Sequence, residues 1–124
     1  MKKNYYQRLM TIGNMSGCHQ MPERSFNVNG RLFPVCARCT GVFIGNLSAF
    51  AVFLKYVPSL QICIMGCIVM LIDWLIQYLN IRESTNIRRF ITGIIGGYSL
   101  TTLYCMAIKY AVMLLFINVT TKAL

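Results

Sequence analysis

Three long apolar runs constrain this chain more than any other feature of its sequence. They occupy residues 40–57, 60–79 and 90–117. Each is close to the ~20 residues that an α-helix needs to cross a ~30 Å hydrocarbon core. Apolar residues make up 56% of the 124 residues, which is more than a soluble domain of this size can bury. The sequence therefore predicts an all-α membrane protein with three transmembrane helices.

The chain before the first apolar run is polar and basic, and we expect it to form a cap on the bundle. The predicted organisation is a short irregular N-terminal cap over residues 1–39 and a three-helix bundle over residues 40–124. Pro58 and Ser59 separate the first two runs. Because proline stops a helix and this connection is short, the first two helices are expected to form a tight antiparallel hairpin.

Basic residues are distributed unequally between the two ends of the predicted bundle. With three crossings, the cap and the loop at residues 80–89 lie on the same side of the membrane. That side carries nine cations: Lys2, Lys3, Arg8, Arg24, Arg31, Arg38, Arg82, Arg88 and Arg89. The other side carries Lys55, Lys109 and Lys122. Cytoplasmic loops are enriched in Lys and Arg, so we expect a multi-pass protein of the cell membrane with its N-terminus in the cytoplasm and its C-terminus outside.

The cap contains a group of residues typical of a metal site. Cys36 and Cys39 form a C-x-x-C pair, and Cys18 and His19 supply two further sulfur and nitrogen donors. Four such donors are the usual ligand set of a tetrahedral zinc ion. Thiols stay reduced in the cytoplasm, which favours thiolate ligands over a disulfide. We favour zinc bound by these four residues over two alternatives, a thiol redox pair or surface residues without a ligand.

Two local signals place the cysteines relative to each other and to the membrane. Asn29-Gly30 favours a tight turn that folds the segment back on itself, so that the two cysteine elements face each other. Thr40 is expected to be the N-cap of the first transmembrane helix, which places Cys39 at the membrane surface. Together these signals predict a metal-stapled cap at the cytoplasmic end of the bundle.

Two polar residues interrupt the second apolar run. Asp73 and Gln77 are four residues apart and therefore share one face of the helix, in its cytoplasmic half. A carboxylate in an apolar helix needs a partner or has a chemical role. Asp73 could tie helices together by pairing with an arginine or a hydroxyl. It could instead serve as a general base, with Gln77 lining the same pocket.

Arginines are concentrated at the same end of the bundle. The third helix follows Ser84, Thr85 and Asn86, which are good N-caps, and then presents Arg88 and Arg89. Cations in the first turn oppose the helix dipole, so dipole compensation does not explain them. They serve either as anchors at the membrane surface or to gather an anion. The candidate anion-binding residues are Arg24, Arg38 and Arg88.

Small residues recur at four-residue spacing in two of the predicted helices. Gly41 and Gly45 open the first helix, and Gly93 and Gly97 lie near the start of the third. In lipid, glycines at this spacing let two helix backbones approach closely. They predict close packing between helices.

Two strings and several spaced polar residues resemble a known family. The strings are CHQMPERSF at residues 18–26 and PVCARCTG at residues 34–41. Asp73 and Gln77 follow, and then Asn86-Ile87-Arg88-Arg89 ahead of Thr92-Gly93. Over about residues 17–97 the chain resembles a bacterial and archaeal family of small membrane proteins of unknown function. The resemblance implies a compact protein of three or four helices whose signature residues gather on one face, with Arg88 or Arg89 at the family's arginine position.

Two functions from different classes fit these residues. In the first, zinc is a structural clasp for the cap. In the second, the protein is a membrane-embedded, metal-dependent enzyme or carrier in which Asp73 and Gln77 are catalytic. Its arginines would bind an anionic lipid head group or a similar small anion. Membrane lipid is the expected partner, and a second copy or a partner subunit could complete the small bundle. Nucleic-acid binding is not expected, because the cations lie against the membrane surface.

Overall fold

The computed structural model describes residues 2–123, with side chains from Asn4 onward. Helix α1 (Lys2–Met15) leads through a 3₁₀ turn (Pro22–Arg24) into two strands, β1 (Ser25–Val28) and β2 (Arg31–Cys36). Three long helices follow, α2 (Ala37–Phe53), α3 (Leu60–Tyr78) and α4 (Asn86–Ala123). The protein is mostly helical, as the sequence predicts. The side chains of Lys2 and Lys3, two of the nine cations counted above, lie outside the described residues.

The N-terminal cap has regular structure, and the expectation of an irregular segment is wrong. Asn29 and Gly30 form the turn between the antiparallel strands β1 and β2, with φ values of 52° and 74°. Asn-Gly readily adopts this left-handed conformation at both positions, so the predicted turn is confirmed. Helix α1 packs on β2, where the Tyr6 hydroxyl donates a hydrogen bond to the Leu32 carbonyl at 2.9 Å. The strands are too short, and α1 too polar, for apolar periodicity to reveal them.

Helix α2 begins directly after β2. Its N-cap is Cys36, so the prediction of Thr40 as N-cap is wrong. The Thr40 hydroxyl instead donates back to the Cys36 carbonyl at 3.1 Å, as a residue inside the first turn does. Helix α2 ends at Phe53, and residues 54–59 connect it to α3. Cys36 and Cys39 therefore lie at the two ends of the first turn of α2.

The centre of the bundle is α4, which packs against both α2 and α3. A Cβ atom on Gly41 would collide with the Phe90 carbonyl, and one on Gly93 would lie 2.5 Å from the Arg38 carbonyl oxygen. The glycines thus allow the backbones of α2 and α4 to touch, and the predicted close packing is confirmed. The predicted tight hairpin of the first two long helices is wrong. The glycine faces of α2 and α4 fit against each other, so the main contact of α2 is with α4. Helix α3 packs on α4 as well.

The order of contacts gives the helix directions. Successive glycines of α2 meet successively later residues of α4, so these two helices are parallel. In α3 the order is reversed, because Gly66 lies against Ser99 whereas Asp73 hydrogen-bonds Thr92. The α3–α4 loop therefore lies at the same end of the bundle as the cap.

The α3–α4 loop is defined by standard caps at both ends. Asn80 follows α3 in the left-handed conformation, with φ 53°, and Ile81 N–H donates to the Ile76 carbonyl at 3.2 Å. At the start of α4, the Thr85 hydroxyl accepts a hydrogen bond from Arg88 N–H at 3.3 Å. The predicted N-cap region of the last helix is confirmed.

The outer surfaces of the long helices are apolar and exposed. Phe43, Ile72 and Leu115, for example, are each at least half exposed. Two helices, α3 and α4, are long and apolar enough to cross a membrane, whereas α2 is apolar but has 17 residues. At ~1.5 Å per residue, the 38 residues of α4 extend ~57 Å, well past the other helices. Residues 2–123 thus contain two candidate membrane spans, by length and composition.

Candidate metal centre

Three of the four predicted metal ligands lie together where the cap meets the bundle. The Sγ atoms of Cys18, Cys36 and Cys39 all lie within 4.8 Å of one another. Those of Cys36 and Cys39 are 3.3 Å apart. All three are free thiols; Cys18 is buried, Cys36 half-buried and Cys39 exposed.

The local fold explains why these thiols meet. The hairpin returns the chain to Cys36, and one turn of α2 brings Cys39 beside it. The N–H of Cys36 donates to the Cys18 Sγ at 3.1 Å. Burial acts to raise the pKa of Cys18, but hydrogen bonds from the backbone of Gln20 and Cys36 outweigh it, and the pKa is lowered. The lowered pKa favours the thiolate of Cys18, the form that binds metal, whereas burial and the neighbouring thiols raise the pKa of Cys39 to about 12.

Gln20 fixes the segment that carries Cys18. Its side-chain Nε2 donates to the Pro34 carbonyl at 2.8 Å and also to the carbonyl of Met10. The amide therefore bridges α1 and β2 beside the cysteines. Its backbone is left-handed, with φ 46°. The sequence analysis did not predict this role of Gln20, because the only signal in the sequence is that Gln20 directly follows Cys18 and His19.

His19, the fourth predicted ligand, is exposed and is not among the donor groups within 4.8 Å of one another. It does line the cavity onto which the three cysteines open. The structure therefore brings three thiols together and leaves His19 at the edge of the same cavity. Its ligation stays a prediction.

Asp73 is buried and held by the other elements of the bundle. Its side chain is 3% exposed. Arg38 Nη2 lies 2.9 Å from one carboxylate oxygen, and Arg88 Nε lies 2.7 Å from the other. The hydroxyl of Thr92 and the amide of Gln77 reach the first oxygen at 3.2 and 2.7 Å. Asp73 thus ties α2, α3 and α4 together, the pairing role considered above.

Gln77 links this ion pair to a further arginine. Its Nε2 donates to Asp73, and its Oε1 accepts a hydrogen bond from Arg89 Nε at 3.1 Å. Arg24, the last residue of the 3₁₀ turn, lines the same cavity as Arg89. Of the three predicted anion-binding arginines, Arg38 and Arg88 are therefore engaged by Asp73. Of the arginines that line this cavity, Arg24 and Arg89 have no carboxylate partner among the described residues.

Residues of β1 pack the cap against α4. The rings of Phe26 and Phe90 pack edge to face with their centroids 5.8 Å apart. The Asn86 amide donates to the Ser25 carbonyl at 3.3 Å. Because Ser25 pairs with Cys36 across the hairpin, these contacts hold the cysteine-bearing strand against the start of α4.

The thiols open onto a cavity of about 220 Å³. Its polar lining residues are Cys18, His19, Gln20, Arg24, Cys36, Arg38, Cys39, Gln77 and Arg89. A soft-metal donor set and several guanidinium groups therefore share one space, which could hold a metal ion and an anion side by side.

Comparison with known sequences identifies the family. Residues 18–104 match the profile of a family described as "Predicted membrane protein (DUF2085)". The chain belongs to this family. The DUF2085 match begins at Cys18 and extends through the other two thiols, Asp73 and the arginines that surround them.

Two archaeal proteins are clearly similar to this DUF2085 chain. An uncharacterised protein of Methanothermobacter thermautotrophicus is 40% identical over 91 residues, which cover 69% of this chain and 82% of that protein. An uncharacterised protein of Methanocaldococcus jannaschii is 40% identical over 89 residues, 66% of this chain and 57% of its own length. No solved structure matches the chain. The family to which the chain belongs is therefore one of predicted membrane proteins.

Proposed function

We propose that this protein is a multi-pass membrane protein whose cytoplasmic end carries a zinc centre held by Cys18, Cys36 and Cys39. The observation that carries the proposal is the convergence of three thiols, from separate parts of the cap and α2, to within 4.8 Å. His19 is the candidate fourth ligand. The proposed role of the ion is a clasp between the cap and the bundle.

The spacing of the thiols suits a tetrahedral zinc site. Ligands at ~2.3 Å from a tetrahedral ion have their sulfur atoms ~3.8 Å apart. The observed separations, 3.3 Å for one pair and at most 4.8 Å for all, bracket that value. The N–H of Cys36 that donates to Cys18 Sγ is the kind of supporting hydrogen bond that stabilises a metal-bound thiolate. Sulfur ligands in tetrahedral sets favour zinc over harder divalent cations.

A clasp at this place has a clear mechanical role. Cys18 belongs to the cap, whereas Cys39 belongs to α2. An ion bound by both therefore crosslinks the two parts. The cap has a short two-stranded sheet and few large buried side chains, so it gains stability from such a crosslink.

The three-span topology is part of the same proposal. Helices α2 and α4 are parallel, and α3, which lies between them in the sequence, is antiparallel to both. The cap and the α3–α4 loop therefore lie at one end of the bundle. That end carries nine cations against three at the other, which supports a cytoplasmic N-terminus. A cytoplasmic location also keeps the thiols reduced.

Metal analysis of the purified protein tests the clasp. Full-length protein purified in detergent without chelator should carry about one zinc per chain. Cys36→Ser and Cys39→Ser should both lose it, whereas Cys105→Ser, in the apolar part of α4, should keep it. A wild-type protein that is folded and free of metal would overturn the proposal. A reversible Cys36–Cys39 disulfide in such metal-free protein would support the thiol redox alternative instead.

A metal-dependent enzyme or carrier is the second candidate, favoured by the arginine-lined cavity beside the thiols. Three protein ligands with a coordination position facing a cavity is the arrangement of catalytic zinc sites. In this reading the engaged Asp73 is a positioning residue for Arg38. The ligands of the zinc can be identified by extended X-ray absorption fine structure. A water or another exchangeable oxygen bound to the zinc in place of His19 would favour this candidate over the clasp.

A further inference from the structure

Two adjoining cavities lie at the end of the bundle that carries the cap. The first is the cavity of about 220 Å³ beside the thiols, and the second has a volume of about 290 Å³. They share Arg24, Gln77 and Arg89 as lining residues. The second cavity is otherwise lined by Glu23, Asn80, Arg82, Glu83 and Ser84. The two cavities thus form one polar space divided by two arginines and a glutamine.

Positive charge in this space exceeds the negative charge available to neutralise it. Asp73 is shared by Arg38 and Arg88. Among the described residues, no carboxylate oxygen lies within 4.0 Å of Arg24, Arg82 or Arg89, although Glu23 and Glu83 line the second cavity. In the zinc-loaded protein a tri-thiolate centre would add a net charge of −1, and five arginines would still outnumber the negative charges.

Arg89 is the clearest sign of a missing partner. It is half-buried and lines both cavities, and a buried cation without a counter-charge is costly. Its Nε donates to Gln77 Oε1 at 3.1 Å and its Nη1 makes a long hydrogen bond to Asn86 Oδ1 at 3.5 Å, so its partners are neutral amides and not carboxylates. A guanidinium has five N–H donors and binds tetrahedral oxyanions in a bidentate manner.

We propose that Arg24 and Arg89 bind a phosphate group in this space, with Gln77 holding Arg89 in the binding orientation. Arg24 and Arg89 come from the cap and from α4, so the anion would bridge those two elements. The phosphate can belong to an anionic phospholipid head group or be a free phosphate compound. The site lies at the polar end of apolar helices, where phospholipid head groups are found. The proposal does not require zinc.

Binding experiments on the full-length protein in nanodiscs test this site. The first arm uses phosphatidylcholine nanodiscs and titrates inorganic phosphate, with binding followed by ³¹P NMR. The second arm uses native mass spectrometry after reconstitution in equal amounts of phosphatidylcholine and phosphatidylglycerol, and counts retained phosphatidylglycerol. The variants are Arg24→Gln and Arg89→Gln. The matched control is Arg8→Gln, because Arg8 is an exposed arginine of α1 that lines neither cavity.

Each variant should weaken binding at least tenfold in whichever arm shows it, and Arg8→Gln should bind as the wild type does. Binding in the first arm identifies a free phosphate compound, and binding in the second arm alone identifies the lipid. No binding in either arm, or equal binding by all variants, would overturn the proposal. Arg24 is exposed, so Arg24→Gln tests the site even where Arg89→Gln fails to fold. Zinc content measured on the same samples keeps a failure of the metal centre distinct from a failure of this site.

Discussion

Arg38 donates from Nη2 to Asp73 Oδ2 at 2.9 Å, across 35 residues of sequence. Arg38 stands between the two cysteines of the C-x-x-C pair, and Asp73 lies in the second half of α3. This contact joins the proposed metal ligands to the polar group inside the bundle. A substitution at Asp73 should therefore affect the proposed metal ligands, and a change at the metal ligands should affect the contacts of Asp73.

Removal of the Asp73 charge should destabilise the protein strongly. In Asp73→Asn, Arg38 and Arg88 lose their shared carboxylate while both stay partly buried. Breaking one side of a buried pair costs ~3–5 kcal/mol, because the remaining charge is left without a partner. Thermal unfolding in detergent, followed by circular dichroism, measures the effect.

Glu83→Gln is the matched control for that experiment, since Glu83 is an exposed carboxylate. It should change the melting temperature little. If Asp73→Asn melts like the wild type, the ion pairs described here do not stabilise the bundle. Loss of zinc from a still-folded Asp73→Asn protein would show that Arg38 also positions the cysteines.

Close backbone contact between α2 and α4 predicts intolerance of small side chains at the glycines. A Cβ atom at Gly45 would overlap the Ile94 carbonyl, so Gly45→Ala must push the helices apart. Overpacking of this kind costs ~1–3 kcal/mol. Ser48→Ala, at an exposed position of the same helix, is the control. Equal melting temperatures for the two variants would contradict the described helix contact.

The proposed topology places residues near Pro58 outside and residues near Glu83 in the cytoplasm. One cysteine at a time, introduced at these two positions in a background with Cys105 and Cys67 replaced, should respond differently to a membrane-impermeant maleimide after labelling of that background is subtracted. Intact cells should be labelled near Pro58 and not near Glu83. The reverse pattern would contradict the orientation and also the argument that the thiols stay reduced.

If zinc clasps the cap, chelation should loosen the cap selectively. Hydrogen exchange followed by mass spectrometry should quicken in β1, β2 and α1 after zinc is removed, because these elements lose their crosslink to α2. The glycine-packed part of α4 should exchange as before and serves as the internal control. If hydrogen exchange in the cap is unchanged in protein that has lost its zinc, the ion does not act as a clasp.

Features with a local physical cause could be predicted from the sequence. The Asn29-Gly30 turn needs only its own two residues, and the capping role of Thr85 depends on the residues just after it. Gly41 and Gly93 predict close packing between helices, but they do not indicate which helices pack together. For Asp73 the sequence predicts an arginine or a hydroxyl as partner, and in the structure Arg38, Arg88 and Thr92 contact its carboxylate.

Features that depend on long-range packing could not be predicted. The Thr40 side chain is a good N-cap, but the hairpin leads into α2 so that the N-cap is Cys36, four residues earlier. The choice between Arg88 and Arg89 depends on the rotation of α4 about its axis, which directs Arg88 to Asp73 and Arg89 to Gln77. Helix α1 and Gln20 stabilise the cap through contacts with β2 that leave no periodic signal in the sequence.

Zinc-edge X-ray absorption on the purified, full-length protein tests the proposed metal centre directly, because it counts the atoms bound to the metal. We expect three sulfur atoms at ~2.3 Å and one lighter atom, nitrogen or oxygen, at ~2.0–2.1 Å. His19→Ala should leave the three sulfur atoms in place, and Cys18→Ser should reduce their number. A spectrum without sulfur ligands would contradict the assignment of Cys18, Cys36 and Cys39 as the metal centre.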